Sequence, residues 1–347
     1  MTRSLSLVAA LALLSTSALG DPPAATPPVA PPVSGKEVVI RLATVAPDGS
    51  PWAVKLQEFK KKAEAAAPGQ LKVKVFLGGA LGDENETVLA TKRGQLDAVG
   101  ASTGALASQV PELNVLELPY LFNNFEEVDH IASTVIKTDV QKYCSDRGLE
   151  FGFWSENGFR GFGGRFQVKT PADLKGRKMR SQENPIHLAM WRDLGASPVP
   201  IPTTEALTSL QTGVVDGYDQ AALYLFAASW NTASKYYTVS NHIYQGAAIV
   251  YNKAAWDSWS APVQKALQEA AAAIENDLKK QVRAMTPILL DNLKTGGIEV
   301  YTLNDGEKAA FQSIAVNTRA SYLKGASKGE KDLAKKIETG LAAYRKK

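Results

Sequence analysis

The chain has 347 residues, 45% hydrophobic and 21% charged, which is enough apolar material for a folded core and too much for a disordered chain. Its formal net charge of +4 is too small a surplus to mark a nucleic-acid binder. A single cysteine, Cys144, excludes an internal disulfide and a cysteine-rich metal cluster, and His130, His187 and His242 lack the spacing of metal ligands.

At the N-terminus Arg3 precedes an apolar run from Leu5 to Leu14 and then Ser17-Ala18-Leu19-Gly20, the pattern of a secretory signal peptide over residues 1–20. Spanning a bilayer takes about 20 apolar residues, so the run predicts export and not an anchor, and no later stretch is long enough. Residues 21–36 are proline-rich and read as a semi-rigid linker. Val38 to Ala43 then reads as a buried strand. Ser50 and Pro51 open a helix whose buried face is Trp52, Leu56, Phe59, Ala63 and Ala66. Leu71, Val73 and Val75 alternate with lysines as a half-exposed strand, Asp83 and Glu84 start a helix that Gly94 ends, and Leu96 to Gly100 returns as a strand. That order predicts a parallel α/β layer, in which ligands sit beyond the carboxyl ends of the strands.

The same grammar recurs after the glycine-rich stretch Gly158 to Arg165. Lys178 to Ser181 is a short strand, Asn184 and Pro185 cap a helix, Gly213 closes another helix, and Val214 to Tyr218 is the next strand. Ser260 and Pro262 open an alanine-rich helix predicted to run to Pro287, long enough to bridge two lobes.

Three patterns carry candidate chemistry. Gly100-Ala-Ser102-Thr-Gly104 fits the GxSxG pattern after a strand, with Asp216 and His242 following in the order of an α/β serine hydrolase. Against that reading, Pro111 leaves little room for a nucleophile helix, and no HGGG-type oxyanion loop precedes the serine. Arg160, Arg165 and Arg180 are candidates for a bidentate carboxylate clamp, although a lone arginine at a strand end is ordinarily solvated. Asp216-Gly217-Tyr218-Asp219-Gln220 places polar groups just after a strand.

The spacing of these patterns resembles one family from Ile40 to about Lys280. The matching segments include Leu81-Gly-Asp-Glu84, Leu118-Pro-Tyr-Leu-Phe122, Gly158-Phe-Arg160, Lys169-Thr-Pro-Ala-Asp-Leu-Lys-Gly-Arg-Lys-Met-Arg180, Leu194-Gly-Ala-Ser-Pro198 and Leu210-Gln-Thr-Gly-Val-Val-Asp-Gly217. Together they are similar to the DctP-type solute-binding proteins of tripartite ATP-independent periplasmic (TRAP) transporters. The resemblance implies a non-enzymatic α/β receptor with the two-lobed periplasmic binding protein fold, an interdomain ligand cleft and a long helix bridging the lobes. It implies lobe I at 37–157 and 246–285 and lobe II at 158–245 and 286–347, no cofactor, and delivery of a small organic acid to a TRAP membrane permease from the periplasm.

In such proteins the arginine at the position of Arg180 usually grips a ligand carboxylate, and the one at Arg160 assists, so that loss of Arg160 is expected to cost less binding and not to unfold the chain. Gln220 stands where an asparagine commonly contacts the ligand, flanked by Tyr218 and Asp219. Two positions that hold pocket polar residues in sialic-acid-binding members are Val45 and Ser102 here, and the usual Val-Pro after the binding arginine is Ser181-Gln182. Trp154, Phe159, Phe162 and Tyr218 are candidates for an apolar wall, with core packing as the ordinary alternative for each. A carboxylate with an apolar or aromatic body fits that inventory better than a polyhydroxylated acid.

Overall fold

The structure, a computed structural model, describes residues 37–346, so the signal-peptide and linker readings lie outside the described residues. Ten strands follow in chain order: β1 (Val38–Thr44), β2 (Leu71–Phe76), β3 (Ala98–Ser102), β4 (Leu149–Gly164), β5 (Lys178–Ser181), β6 (Ser197–Pro200), β7 (Gly217–Ala221), β8 (Tyr236–Val239), β9 (Tyr244–Asn252) and β10 (Glu299–Thr302). β1 pairs in parallel with β2 and β3, and β9 joins β3 antiparallel. On the other side β5 pairs in parallel with β6 and β7, while β8 joins β4 and β10.

The sixteen-residue β4 unites the halves, because its first part pairs with β9 and its second part with β7 and β8. Register shifts between Phe151 and Phe153 and between Glu156 and Gly158 break the β4–β9 ladder, the second where the chain passes from one half to the other. Extra residues of this kind bend a strand and sharpen its twist. The glycines that follow have a packing reason: a Cβ on Gly163 would lie 2.4 Å from the ring of Tyr218, its neighbour across the β4–β7 ladder.

Helices supply the outer layers. Pro51–Ala66 begins as expected, with the Ser50 side chain accepting from the Ala53 amide, but it buries Ala67 where Ala66 was expected. The long helix Ala261–Thr295 spans 35 residues, about 52 Å at 1.5 Å per residue. Its first half packs Val263, Leu267 and Ile274 into the core under β1 and β2, and its second half packs Val282, Leu289 and Leu293 beside Leu225 and Trp230. It therefore bridges the two lobes. It also runs through Pro287, the expected end: an internal proline costs about 3 kcal/mol, and burying Leu289 and Leu293 returns about 1.5 to 3 kcal/mol each.

Two strand boundaries move. The strand expected at Val214 to Tyr218 is β7, three residues later, so Asp219 and Gln220 lie on the strand and not beyond it, and Asp216 lies before it. The strand expected from Leu96 is Ala98–Ser102. The C-terminal segment divides: Asp305–Gly325 packs on the helix Pro185–Asp193, whereas Lys328–Tyr344 seats Leu333, Ala334, Ile337 and Leu341 against Val110, Leu113 and Ile131 of the first half. Among the described residues no helix is long and apolar enough to cross a membrane.

Candidate ligand-binding site

Short β5 delivers Arg180 to the interior, where it is 1% exposed. Its Nε donates to the Ile201 carbonyl at 2.9 Å and its Nη2 to Thr203 Oγ1 at 3.0 Å, with the guanidinium 5.3 Å from the centre of the Trp230 ring. No carboxylate among the described residues lies within ion-pairing distance of it. Burial, with the Arg160 charge adding to it, pushes this guanidinium down to about 10. A buried cation is costly until an anion neutralises it.

Arg160, also fully buried, is in the opposite condition. Its Nε donates to Asp219 Oδ2 at 2.6 Å, Nη2 to the Asp219 carbonyl at 2.5 Å, and Nη1 to Gln245 at 2.6 Å and Gln220 at 3.2 Å. Burial alone would raise the Asp219 carboxyl, but the Arg160 charge and a hydrogen bond with His242 hold it well below the usual range. His242 is 3.2 Å from Asp219 through Nε2, 2.7 Å from Ser240 through Nδ1, and stacked on Phe162; burial lowers its pKa. A second buried pair, His187 and Glu117 at 2.6 Å, stands alongside.

A cavity opens in front of these groups. Trp52, Leu56, Phe153, Ile249 and Leu278 form its apolar wall, and Glu84, Ser102, Gln182, Thr203, Gln220 and Gln245 supply its polar atoms. Those polar groups are chained: Gln245 Nε2 donates to Gln182 Oε1 at 2.7 Å, Gln182 Nε2 to Ser102 Oγ at 2.9 Å, and Ser102 Oγ to Glu84 at 3.0 Å. Lining residues from β3 and β9 thus meet residues from β7 and the loop after β5 across the junction of the two halves.

Of the residues singled out from sequence, Ser102 and Gln220 line this cavity directly. Arg180 reaches its wall through Thr203, and Arg160 and Asp219 lie behind Gln220. Tyr218 and Trp154 are not brought there. Tyr218 shares a face of β7 with Gln220 but sits two residues earlier, where its ring rests on Gly163 and against Trp230 and its hydroxyl meets Ser234 at 2.9 Å. Trp154 points to the opposite face from its neighbour Phe153, the ring that does line the cavity, and packs on Phe151 in the other core. Phe159 and Phe162 likewise pack in cores. Sequence reasoning missed Glu84, Gln182, Thr203, Gln245 and Trp230. Two of these carried a visible signal, Gln182 as a departure from the family pattern and Glu84 as the last residue of the matching segment Leu81-Gly-Asp-Glu84.

The hydrolase geometry is absent among these groups. Both ring nitrogens of His242 are engaged by Ser240 and Asp219, Asp216 accepts from the Lys178 amide, and Ser102 Oγ is held by Glu84 and Gln182. Ser102→Ala is accordingly expected to remove no esterase activity, and an active-site phosphonate to leave the wild type unlabelled. Labelling at Ser102, with turnover that the variant lacks, reverses this.

The profile of bacterial extracellular solute-binding protein family 7, DctP, matches residues 42–324. The chain belongs to the DctP family. A solute-binding protein of Verminephrobacter eiseniae is 32% identical to this DctP-family chain over 252 residues, 69% of this chain and 75% of the relative. The 2,3-diketo-L-gulonate-binding periplasmic protein YiaO of Escherichia coli is 28% identical, covering 81% and 86%. A crystal structure of a sugar acid binding protein of Advenella mimigardefordensis in complex with galactonate superimposes with a TM-score of 0.83 at 26% identity, covering 88% of this chain and 99% of that one. DctP proteins are extracellular substrate-binding receptors of bacteria and not enzymes, with the two-lobed fold found here.

Proposed function

We propose that this protein is the periplasmic receptor of a TRAP transporter, that it closes on a small organic acid in the cavity between its lobes, and that it hands the acid to a membrane permease. The observation that carries the ligand class is Arg180, a buried guanidinium with which no carboxylate among the described residues pairs, standing behind the Thr203 wall of the cavity. A ligand carboxylate there replaces lost hydration with charge-assisted hydrogen bonds, two of them if both terminal nitrogens engage. Arg160 acts differently: its protein partners already occupy it, so it fixes Gln220 and Gln245 at the cavity edge.

The lobes divide at 157/158 and 245/246, with 328–344 grouped with lobe I on account of its packing. β4, β9 and the long helix are the crossings, and their bending closes the cleft. The galactonate complex and the YiaO name make acids of this kind the first ligands to try. The deciding experiment is mass spectrometry of the molecule that copurifies with the protein, followed by calorimetric titration; an uncharged or purely cationic ligand rejects the carboxylate reading.

Export rests on the apolar run Leu5 to Leu14 and the small residues before Asp21. N-terminal sequencing of protein from the periplasmic fraction is expected to begin at or near Asp21. An intact Met1 on the exported chain removes the signal-peptide argument.

A further inference from the structure

A second crevice, of about 280 Å3, opens where the long helix Ala261–Thr295 and the helix Lys137–Asp146 flank the first part of β4. Five consecutive strand residues, Glu150 to Trp154, line it, together with Gln141 of one helix and Leu267 and Ala271 of the other. Successive strand residues point to opposite faces, so a space that touches all five lies over the edge of the strand. That edge is free. Up to Phe159, β4 pairs with β9 alone, and outside that ladder the backbone of Glu150 to Ser155 makes no hydrogen bond to any described residue. Gly152, skipped in the register with β9, is one of the lining residues. An unpaired strand edge presents backbone donors and acceptors in a row. The side chains add a further donor: Trp154 is 8% exposed, and its indole N–H has no acceptor among the described residues. Leaving such a buried donor unmet costs about 1 to 3 kcal/mol.

We propose that this crevice is a binding site, separate from the interlobe cavity, for a small neutral aromatic molecule with an amide edge, a carbonyl and an N–H side by side. The ring packs among Phe151, Tyr251 and Trp256, the carbonyl accepts from the Trp154 indole, and the amide N–H donates to a free carbonyl of β4. Size fits the assignment, since a cavity of about 150 Å3 already takes up benzene. Charge fits it too. Two lysines, Lys137 and Lys279, and two carboxylates, Glu150 and Glu275, cancel around the crevice, with Lys279 3.3 Å from Glu275, so no net charge calls for an ion.

The test uses benzamide, with toluene as the ring that lacks the amide. Indole N–H signals in a proton–nitrogen correlation spectrum of the full chain are assigned by the one lost in each of Trp52→Phe, Trp154→Phe and Trp256→Phe. Benzamide is expected to shift the Trp154 and Trp256 signals together and saturably in the millimolar range, leaving Trp52, in the wall of the interlobe cavity, unmoved. Toluene should bind at least tenfold more weakly by the Trp256 shift. Trp154→Phe, which keeps a ring and loses the donor, should weaken benzamide about fivefold by the same signal. Ala272→Phe, at an exposed lining position of the long helix, fills the crevice and should abolish the shifts. Trp154 also borders a void of about 20 Å3 beside Tyr244 and Gly246, with room for one water. A Trp154 signal that stays in place up to the solubility limit of benzamide sends the indole proton there and overturns the site. Movement of Trp52 alone, toluene equal to benzamide, or unchanged binding in Trp154→Phe or Ala272→Phe overturns it as well.

Discussion

Arg180→Ala is expected to weaken binding of the cognate acid by about 2 to 5 kcal/mol, the range for truncating one partner of a buried charge pair. At 1.4 kcal/mol per tenfold, that is about 30-fold to several thousand-fold in dissociation constant. The upper part of the range is expected, because the guanidinium is 1% exposed and among the described residues no carboxylate pairs with it. Arg180→Lys should recover little. A lysine keeps the charge but loses the planar fork that reaches the Ile201 carbonyl and Thr203 while leaving donors for the ligand. The fold should survive the alanine change, since removing this cation strands no carboxylate among the described residues and relieves a buried charge. Calorimetry on the folded variant decides: near-wild-type affinity in Arg180→Ala means that the cavity holds its ligand some other way.

The architecture was legible where periodicity and caps are strong. Ser50-Pro51, Asn184-Pro185 and Gly213 mark helix ends that stand where local chemistry puts them, with Gly213 in the left-handed region at a φ of 76°. The strand near 217 moved because Val214 and Val215 look like strand residues. In the fold Val214 is exposed, Val215 is buried, and both amides bond the carbonyl of Ser209 at the end of the preceding helix. Helix continuation past Pro287 was illegible for another reason: the compensating burial of Leu289 and Leu293 is tertiary. Within the site, the residues that resemble a known pattern lie at the cavity or behind its wall, Gln220 lining it and Arg180 and Arg160 behind Thr203 and Gln220. Glu84, Gln182 and Gln245 come together only because three separate segments converge on Ser102, and no spacing in the sequence announces that. The candidate rings Trp154, Phe159, Phe162 and Tyr218 pack in cores, the alternative held open for each, while Trp52 and Phe153 line the cavity. Choosing between Phe153 and Trp154 depends on which face of β4 meets the cavity, a one-residue parity set by the bulge near Gly152.

Arg160 is ion-paired inside the protein, and that raises the expected cost of losing it. An assisting cleft arginine can be removed with little harm to the fold, but this one neutralises a carboxylate that is itself fully buried. Arg160→Met is therefore expected to destabilise the protein by about 3 to 5 kcal/mol near neutral pH, because Asp219 is left charged and buried with only the imidazoles of His242 and His187 near it. Adding Asp219→Asn in the same chain should recover most of that loss, since the cost is the stranded charge and not the missing packing. The pH dependence separates these causes. Asp219 is held well below its unfolded value of about 3.9, so in the wild type its contribution is complete above that value and is lost as pH falls through the folded pKa. His242 is depressed as well; its contribution is complete above about 6.5 and declines below, as the unfolded chain takes up a proton that the folded one refuses. Wild-type stability therefore falls on acidification, first through His242 and then through Asp219. In Arg160→Met the main influence lowering Asp219 is gone, its carboxyl can take a proton at higher pH, and the gap to the wild type should narrow as the solution becomes more acidic. Urea denaturation of the three proteins between neutral pH and about pH 4 measures this directly. A loss below about 1 kcal/mol, or a gap that stays constant across that range, means that Arg160 does not balance the Asp219 charge and that the assisting role expected from the family is the better description.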